Sequence, residues 1–276
     1  MWSNQNFDEI SKHCKVNVVA NNITDNDCTR MVPIDQWKVD KDASFFCYCG
    51  NETVNGFEFD DEKFPWHLFP KDMPIICDMS SNIGTKPVRW DKLAMVYMGA
   101  QKNLGAAGCT VMIIREDLFG HAEPDCPILC DWTLHENSPD TYYNTPAIFP
   151  MYVTGLNMSY MNEMGGLEHY EKLADTRSKL LWNLIDTSNG FYKSKITDKA
   201  YRSRVNVIVR IQGGNKDLEK QFVKEAGAAG IVQIVGHTFN PGIRISMYNT
   251  MAVAGVEYLC EFMIHFMKTH NSRSKL

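Results

Sequence analysis

The stretch Met-Gly-Ala-Gln-Lys-Asn-Leu-Gly-Ala-Ala-Gly, residues 98–108, places Lys102 in a glycine-rich turn directly after the apolar run 93–97. A second apolar run, Pro-Ile-Ile-Cys at 74–77, ends on the carboxylate of Asp78. Both runs predict short buried strands of an α/β sheet. Ligands of open α/β sheets bind beyond the carboxyl ends of the strands. We therefore expect Asp78 and Lys102 to share a ligand site at one edge of the sheet.

The two side chains at that edge indicate one kind of cofactor chemistry. A lysine held in a glycine-rich turn can form a Schiff base with an aldehyde cofactor. An aspartate at the neighbouring strand end can keep a pyridinium nitrogen protonated. Either residue alone is more often an ordinary surface charge. Together, Asp78 and Lys102 predict a site for pyridoxal phosphate.

Composition and charge exclude several classes of protein. The chain has 276 residues and a net charge of −5, without the clustered basic face that nucleic-acid binding requires. No apolar run approaches the roughly 20 residues of a membrane span, and the N-terminal residues lack the features of a signal peptide. Nine cysteines, several inside apolar runs, predict reduced thiols and a cytoplasmic location. Cys126 and Cys130 have a metal-site spacing, but no second pair completes a site, so no metal is expected.

The first half of the chain alternates short apolar runs with polar turns. The pattern predicts a helix at 5–13 and strands at 15–20, 44–49, 74–78, 93–98 and 109–115. The last of these strands follows the Lys102 turn too closely for a crossover helix, so we expect it to run antiparallel to its neighbour.

The second half of the chain predicts a long helix followed by a small α+β unit. The helix covers 144–164, with Thr145 as its N-cap and Pro146 at its first position, and Gly165 ends it. Further helices and strands are predicted at 167–189, 205–211, 216–229, 231–235, 242–247 and from 253 onward. We divide the chain into a large domain, 1–160, and a small C-terminal domain, 161–276.

Five runs of sequence carry a family resemblance. They are Asn51-Glu-Thr53, Asp78-Met-Ser-Ser-Asn82, Gly99-Ala-Gln-Lys-Asn103, Tyr143-Asn-Thr-Pro146 and Gly242-Ile-Arg-Ile-Ser-Met-Tyr-Asn249. These runs closely resemble phosphoserine aminotransferase, a family of class-V, fold-type I enzymes that depend on pyridoxal phosphate. The resemblance extends over nearly the whole chain. It implies an α/β large domain with a mostly parallel sheet and a small C-terminal α+β domain.

The resemblance implies roles around the cofactor. Lys102 would be the Schiff-base lysine and proton carrier, and Asp78 would pair with the pyridinium nitrogen. Trp2 would stack on the ring, and Thr53 would donate to the ring hydroxylate. Gln101, next to the lysine, would also be a cofactor-binding residue. The alternatives are an aromatic cover over the core for Trp2 and a local backbone bond for Thr53.

Further roles concern the anionic groups of cofactor and substrate. Asn144 and Thr145, just before a helix, would hold the cofactor phosphate of the neighbouring subunit, so the resemblance implies a homodimer. Thr145 is otherwise a plain N-cap. Arg244 would clamp the substrate α-carboxylate with its planar fork, and its alternative is an exposed strand arginine. His237 would lie near the substrate phosphate, although a lone loop histidine is more often structural.

The chain departs from the family pattern in two places. Thr238 stands where the family has a phosphate-binding arginine, and loss of one partner of a desolvated charge pair costs about 2–5 kcal/mol. Family members also carry on the order of a hundred residues before the position of Trp2. We expect their absence to expose apolar sheet surface.

The leading hypothesis is transamination of O-phosphoserine with 2-oxoglutarate, which yields 3-phosphohydroxypyruvate and glutamate in serine biosynthesis. One alternative is a non-catalytic, truncated member of the family that acts only through dimerisation. The other, motivated by Thr238, is an aminotransferase for a non-phosphorylated amino acid.

Overall fold

The structure is a computed structural model that describes residues 1–21, 29–138 and 142–271. The first half contains α1 (Trp2–Ile10), β1 (Phe46–Cys49), β2 (Asn51–Glu52), β3 (Phe57–Glu58), β4 (Ile75–Asp78), β5 (Met95–Gly99), β6 (Thr110–Ile114) and α2 (Trp132–Glu136). The second half contains α3 (Ile148–Glu163), α4 (Gly166–Thr187), β7 (Tyr192–Lys193), β8 (Asn206–Ile211), α5 (Lys216–Ala228), β9 (Val235–His237), β10 (Asn240–Ser246) and α6 (Val253–His270). Single turns of 3-10 helix lie at Ile34–Gln36, Trp66–Leu68, Glu116–Leu118, Ile128–Cys130 and Lys199–Tyr201. Within the described ranges, none of the helices combines the length and the apolar character that crossing a membrane requires.

A four-stranded sheet organises the first half of the chain. Its strand order is β1-β4-β5-β6, in which β1, β4 and β5 run parallel and β6 runs antiparallel to β5. The predicted antiparallel direction of β6 is confirmed. Cys77 and Met98 are buried in the same apolar cluster as the aromatic rings of Phe64 and Phe69. This cluster explains why the strands are continuously apolar.

A second, fully antiparallel sheet forms the centre of the other half. Its strand order is β7-β8-β10-β9. Val209 and Ile243 are buried beneath α4, α5 and α6, where Phe222 is fully enclosed. Side chains alternate between the faces of a strand, so Arg244 and Ser246 of β10 lie on the opposite face. Contacts described below join that face to the first sheet.

The strand predicted at 15–20 is wrong. Residues 15–20 form neither strand nor helix, and Val18 is 51% exposed. The Lys38 N–H donates to the carbonyl of Val19 at 2.9 Å, but the contact does not continue into a ladder. The valine-rich run therefore has strand propensity without a neighbouring strand to pair with, and strand propensity depends on such context.

The boundaries of three other elements differ from the prediction. The first helix begins three residues earlier than predicted, at Trp2, and β9 covers Val235–His237 instead of 231–235. The long helix begins at Ile148, and its N-cap is Ala147 rather than Thr145. Gly165 ends this helix as predicted, with a left-handed φ of 110°.

The two largest clusters of buried apolar side chains lie in different parts of the chain. One comprises residues between Tyr48 and Leu104, and the other comprises residues between Leu181 and Phe266. Each of these surrounds one of the four-stranded sheets, and a third cluster, of Met31, Phe57 and Ile196, joins the two halves of the chain. The division of the chain after residue 160 stays a prediction.

Candidate active site

Lys102 lies in the turn after β5, next to the indole ring of Trp2. Its side chain is half-buried, and its Nζ lies 5.3 Å from the centre of the Trp2 ring. The Trp2 Nε1–H donates to Oγ1 of the buried Thr53 at 3.0 Å. The structure thus brings three of the predicted residues into one cluster, although they are distant in sequence.

Asp78 is fixed at the end of β4 by Ser80. One carboxylate oxygen, Oδ1, accepts from the Ser80 backbone N–H at 2.9 Å and from its hydroxyl at 2.6 Å. The Ser80 hydroxyl in turn accepts from the N–H of Gly99, at the end of β5, at 2.9 Å. This bridge couples the carboxylate to the strand that leads into Lys102. No described residue donates to the other carboxylate oxygen, which leaves it available to a positively charged partner.

Asn103 holds the lysine turn in place from the adjacent position. Its amide nitrogen donates to the carbonyl oxygens of Ser81 at 2.6 Å and Ile83 at 3.2 Å. Its amide oxygen accepts from the backbone N–H of Asn249 at 3.0 Å. Asn103 is only 2% exposed, so water does not compete for these bonds. The Lys102 backbone is therefore anchored to both halves of the chain.

Gly105 shows why the turn after Lys102 needs glycine. A Cβ at this position would lie 2.5 Å from the hydroxyl oxygen of Thr154 and 2.7 Å from its Cα, on helix α3. Such distances exclude any larger residue without movement of the helix. The glycine therefore allows α3 to pack directly against the lysine turn.

Helix α1 is held over the site by residues that sequence analysis missed. Glu52 accepts from the Trp2 N–H at 2.9 Å and from the Val54 N–H at 3.2 Å. Asn6, one helical turn after Trp2, donates to the Tyr97 hydroxyl at 3.1 Å. Tyr97 is the register partner of Asp78 on β5. The available signal was the position of Glu52 within the Asn-Glu-Thr run.

The hydroxyl and thiol groups around Asp78 stay protonated. Burial raises the pKa of the Cys77 thiol to about 12 and that of the Cys49 thiol well above its usual value. Burial also raises the pKa of Tyr97, and the neighbouring charge of Asp78 adds to that shift. These side chains therefore present neutral hydroxyl and thiol groups at this edge of the sheet.

Arg244 lies on the face of the second sheet that meets the first. On the same face, Asn206 donates to Ser246 at 3.0 Å and accepts at 2.8 Å from Asn51 of β2, which forms a separate two-stranded sheet with β3. Asn51 also donates to Ser81, just after β4, and so links the second sheet to the first. The Nε of Arg244 is buried and has no hydrogen-bond partner among the described residues. A buried donor without a partner is unfavourable. A carboxylate bound in a forked geometry would satisfy it.

His237 ends β9 beside an aromatic side chain. Its ring stacks on Phe239, with centroids 5.4 Å apart and planes inclined by 13°. Its Nδ1 accepts from the Phe239 N–H at 3.3 Å, and the neighbouring Thr238 is exposed. The histidine side chain is thus held locally, and the threonine offers only a neutral hydroxyl.

Three further predicted residues have exposed side chains. Asn144 and Thr145 are both exposed, and the amide of Asn144 donates to the Thr145 carbonyl at 3.4 Å. Gln101 is exposed as well. The roles predicted for these residues therefore stay predictions.

The structure offers no support for the metal interpretation of the Cys126–Cys130 pair. Both cysteines have free thiols. Across residues 1–21, 29–138 and 142–271, no group of three or more His, Cys, Asp or Glu side chains is arranged to hold a metal ion.

Comparison with known proteins gives consistent results. The family model for aminotransferase class-V matches residues 1–259. A phosphoserine aminotransferase of Janthinobacterium sp. is 38% identical over 98% of this chain and 71% of its own length. A probable phosphoserine aminotransferase of Dictyostelium discoideum is 39% identical over 98% of this chain and 70% of its own length.

Solved structures agree with these relatives. The phosphoserine aminotransferase of Bacillus circulans superposes with a TM-score of 0.88 at 31% identity, over 98% of this chain and 72% of that one. The PLP-bound phosphoserine aminotransferase of Trichomonas vaginalis superposes with a TM-score of 0.86 at 32% identity, over 96% of this chain and 73% of that one. The fold is therefore that of the fold-type I aminotransferases, as predicted. The chain belongs to the phosphoserine aminotransferase family of the class-V aminotransferases.

Proposed function

We propose that this chain binds pyridoxal phosphate through Lys102 and transfers the amino group of O-phosphoserine to 2-oxoglutarate. The products are 3-phosphohydroxypyruvate and glutamate. The observation that carries the proposal is the placement of Lys102 beside Trp2 and Thr53, together with the coupling of Asp78 to the same turn. The names of the most similar relatives support the choice of substrate.

The residues at the site fit this cofactor. The free carboxylate oxygen of Asp78 suits a protonated ring nitrogen, and the flat indole of Trp2 suits the face of an aromatic ring. Thr53 Oγ1 already accepts from Trp2, so its own proton remains for an anionic ring oxygen. Each group thus matches a different part of the cofactor.

The proposed chemistry divides between the cofactor and three side chains. When bound, the pyridinium ring withdraws electrons from the substrate α-carbon. Asp78 keeps the ring nitrogen protonated through a charge-assisted hydrogen bond. Once the substrate amine had displaced it from the cofactor, the free Lys102 amine would carry a proton from the substrate α-carbon to the cofactor. Arg244 orients the substrate through its buried Nε–H, which has no partner among the described residues and would donate to the α-carboxylate.

We further propose that the active protein is a homodimer in which Asn144 and Thr145 reach the cofactor phosphate of the partner. Both side chains are exposed within one chain. Helix α3 follows them and exposes 70% of Ile148, 72% of Phe149 and 63% of Tyr152. An apolar surface of this kind on a helix is typical of an interface. A second copy of the chain would cover it.

The proposal also covers the domain division and the cellular location of the protein. Residues 1–160 form the cofactor-binding domain and residues 161–276 the small domain, each around its own apolar cluster. We place the protein in the cytoplasm on the basis of its reduced thiols.

Thr238 supports a second candidate, an aminotransferase for a non-phosphorylated amino acid. Its exposed hydroxyl cannot neutralise a phosphate, and the neighbouring His237 is covered by Phe239.

The third candidate is a non-catalytic chain that acts only in a dimer. Transamination by the purified protein alone would exclude it, whereas co-purification with a longer homologue without turnover would favour it.

Replacement of Lys102 tests the proposed function. We expect Lys102→Ala to abolish the visible absorption of the lysine-bound cofactor and to lower kcat by about 10²–10⁴-fold, because a positioned acid–base group is lost. Absorption spectra and a coupled assay of glutamate formation would measure both effects. The exposed Lys220 provides the control, and Lys220→Ala should behave as the unchanged protein. A protein that takes up no pyridoxal phosphate, or a Lys102→Ala variant with full activity, would disprove the proposal.

Replacement of Thr238 tests the substrate preference. We expect Thr238→Arg to raise kcat/KM for phosphoserine relative to serine by about 10- to 150-fold, because a hydrogen bond to a charged group contributes about 1.5–3 kcal/mol. Thr238→Gln, which is long but neutral, is the control. Equal ratios in the two variants would show that residue 238 does not contact the phosphate. A higher kcat/KM for serine than for phosphoserine in the unchanged protein would favour the second candidate.

An acidic substitution on α3 tests the dimer. We expect Phe149→Asp to weaken the dimer by about 3–5 kcal/mol, because an unpaired carboxylate would be buried in the interface. Sedimentation velocity over a concentration series would show a shift from dimer to monomer. Val232→Asp is the control, since Val232 is also exposed, at 66%, but lies far along the chain in the second half. Monomeric behaviour of the unchanged protein would contradict the proposed assembly.

A further inference from the structure

Arg177 on helix α4 is a fully buried cation without a carboxylate partner among the described residues. Its exposure is 0%. Its Nη1 donates to the carbonyl oxygens of Tyr248 at 2.9 Å, Asn249 at 3.3 Å and Met251 at 2.6 Å. Its Nε and Nη2 have no hydrogen-bond partner in the described part of the chain. Burial of a charge is costly unless it is fully hydrogen-bonded, so stability alone is a poor explanation for this arginine.

The turn that Arg177 holds contacts the lysine turn directly. The backbone N–H of Asn249 donates to the amide oxygen of Asn103 at 3.0 Å. The side-chain amide of Asn249 donates to the Ile83 carbonyl at 3.1 Å, and Asn103 donates to the same carbonyl at 3.2 Å. Asn103 follows Lys102 in the chain. A continuous series of bonds therefore runs from Arg177 to the residue next to the lysine.

Because this series of bonds is buried, a change at Arg177 would displace Asn103 at the other end. Asn103 and Asn249 are each 2% exposed, so water does not replace a bond that is lost. The three carbonyl oxygens around Arg177 accept from one guanidinium nitrogen, and the Tyr248 oxygen also accepts from the Met251 N–H at 2.8 Å. Loss of the guanidinium would therefore leave the carbonyl oxygens of Asn249 and Met251 without the donor that they share. The turn at 248–251 would then shift, and the donor to Asn103 would shift with it.

We propose that Arg177 is a positioning residue for Lys102. It fixes the turn at 248–251, that turn fixes Asn103 through Asn249, and Asn103 fixes the backbone from which the amine extends. The proposal rests on the function proposed above, because it assigns Lys102 the reacting amine. It adds a residue of the small domain that touches neither cofactor nor substrate.

Three variants at neighbouring positions of α4 test the proposal. Arg177→Met keeps the length of the side chain without its donors, and Arg177→Lys keeps one cation near the same carbonyls. Ser178→Ala is the matched control, because Ser178 is buried but its hydroxyl donates only to Asp175 of its own helix, at 3.1 Å. Hydrogen exchange of the peptides around 99–105 and 247–251 reports the position of the turn without any cofactor.

We expect Arg177→Met to speed exchange in those two peptides and to leave the β6 peptide unchanged. In the loaded enzyme it should lower kcat by about 10- to 100-fold with little change in KM, as a misplaced reacting group does. It should also move the pH midpoint of the visible absorption of the cofactor. Arg177→Lys should recover most of kcat, and Ser178→Ala should match the unchanged protein. Exchange, kcat and pH midpoint equal to those of the unchanged protein would overturn the proposal.

A second measurement keeps the test decisive if Arg177→Met fails to fold. If Arg177 acts through Asn103, the loss of kcat in Arg177→Gln, which keeps a polar side chain but no cation, should disappear when Asn103→Ala is already present. Additive losses in the double variant would overturn the proposal. Failure of the proposed function looks different, because the unchanged protein would then show no cofactor absorption and no turnover. The exchange data would still decide whether Arg177 holds the lysine turn.

Discussion

The parallel pairing of β4 with β5 is the constraint on which the site depends. Because both strands end at the same edge of the sheet, the carboxylate of Asp78 and the turn that carries Lys102 become neighbours. The Ser80 hydroxyl then couples Asp78 to the N–H of Gly99 and fixes their relative position. Helix α1 closes the arrangement by placing Trp2 against the lysine.

Buried polar bonds connect the two four-stranded sheets, alongside an apolar cluster in which Phe57 of β3 stacks on Tyr201. Asn51 donates to Ser81 and Asn206, accepts from the hydroxyl of Ser203, and is 1% exposed. Asn103 makes the same kind of connection next to the lysine. Such bonds require specific geometry and lose much of their strength when a partner moves. They are suited to hold Arg244 in a defined place relative to Asp78 and Lys102.

The elements that were predictable from sequence are those whose signal is local. Strands β4, β5 and β6 follow from short apolar runs, and the end of α3 follows from a glycine. The run at 15–20 has the same composition as a strand, yet it lacks a neighbour, which composition does not reveal. Lys102 and Asp78 were predictable because their chemistry is specific and their motifs resemble a family. Asn6 and Arg177 were not, because their partners lie 71 or more residues away in sequence.

The central claim is that one amine, that of Lys102, carries pyridoxal phosphate. The most direct measurement is reduction of the loaded protein with sodium borohydride, followed by proteolysis and mass spectrometry of the lysine peptides. The structure predicts a single phosphopyridoxyl group, on Lys102. A label on another lysine, or no label after incubation with excess cofactor, would contradict this account.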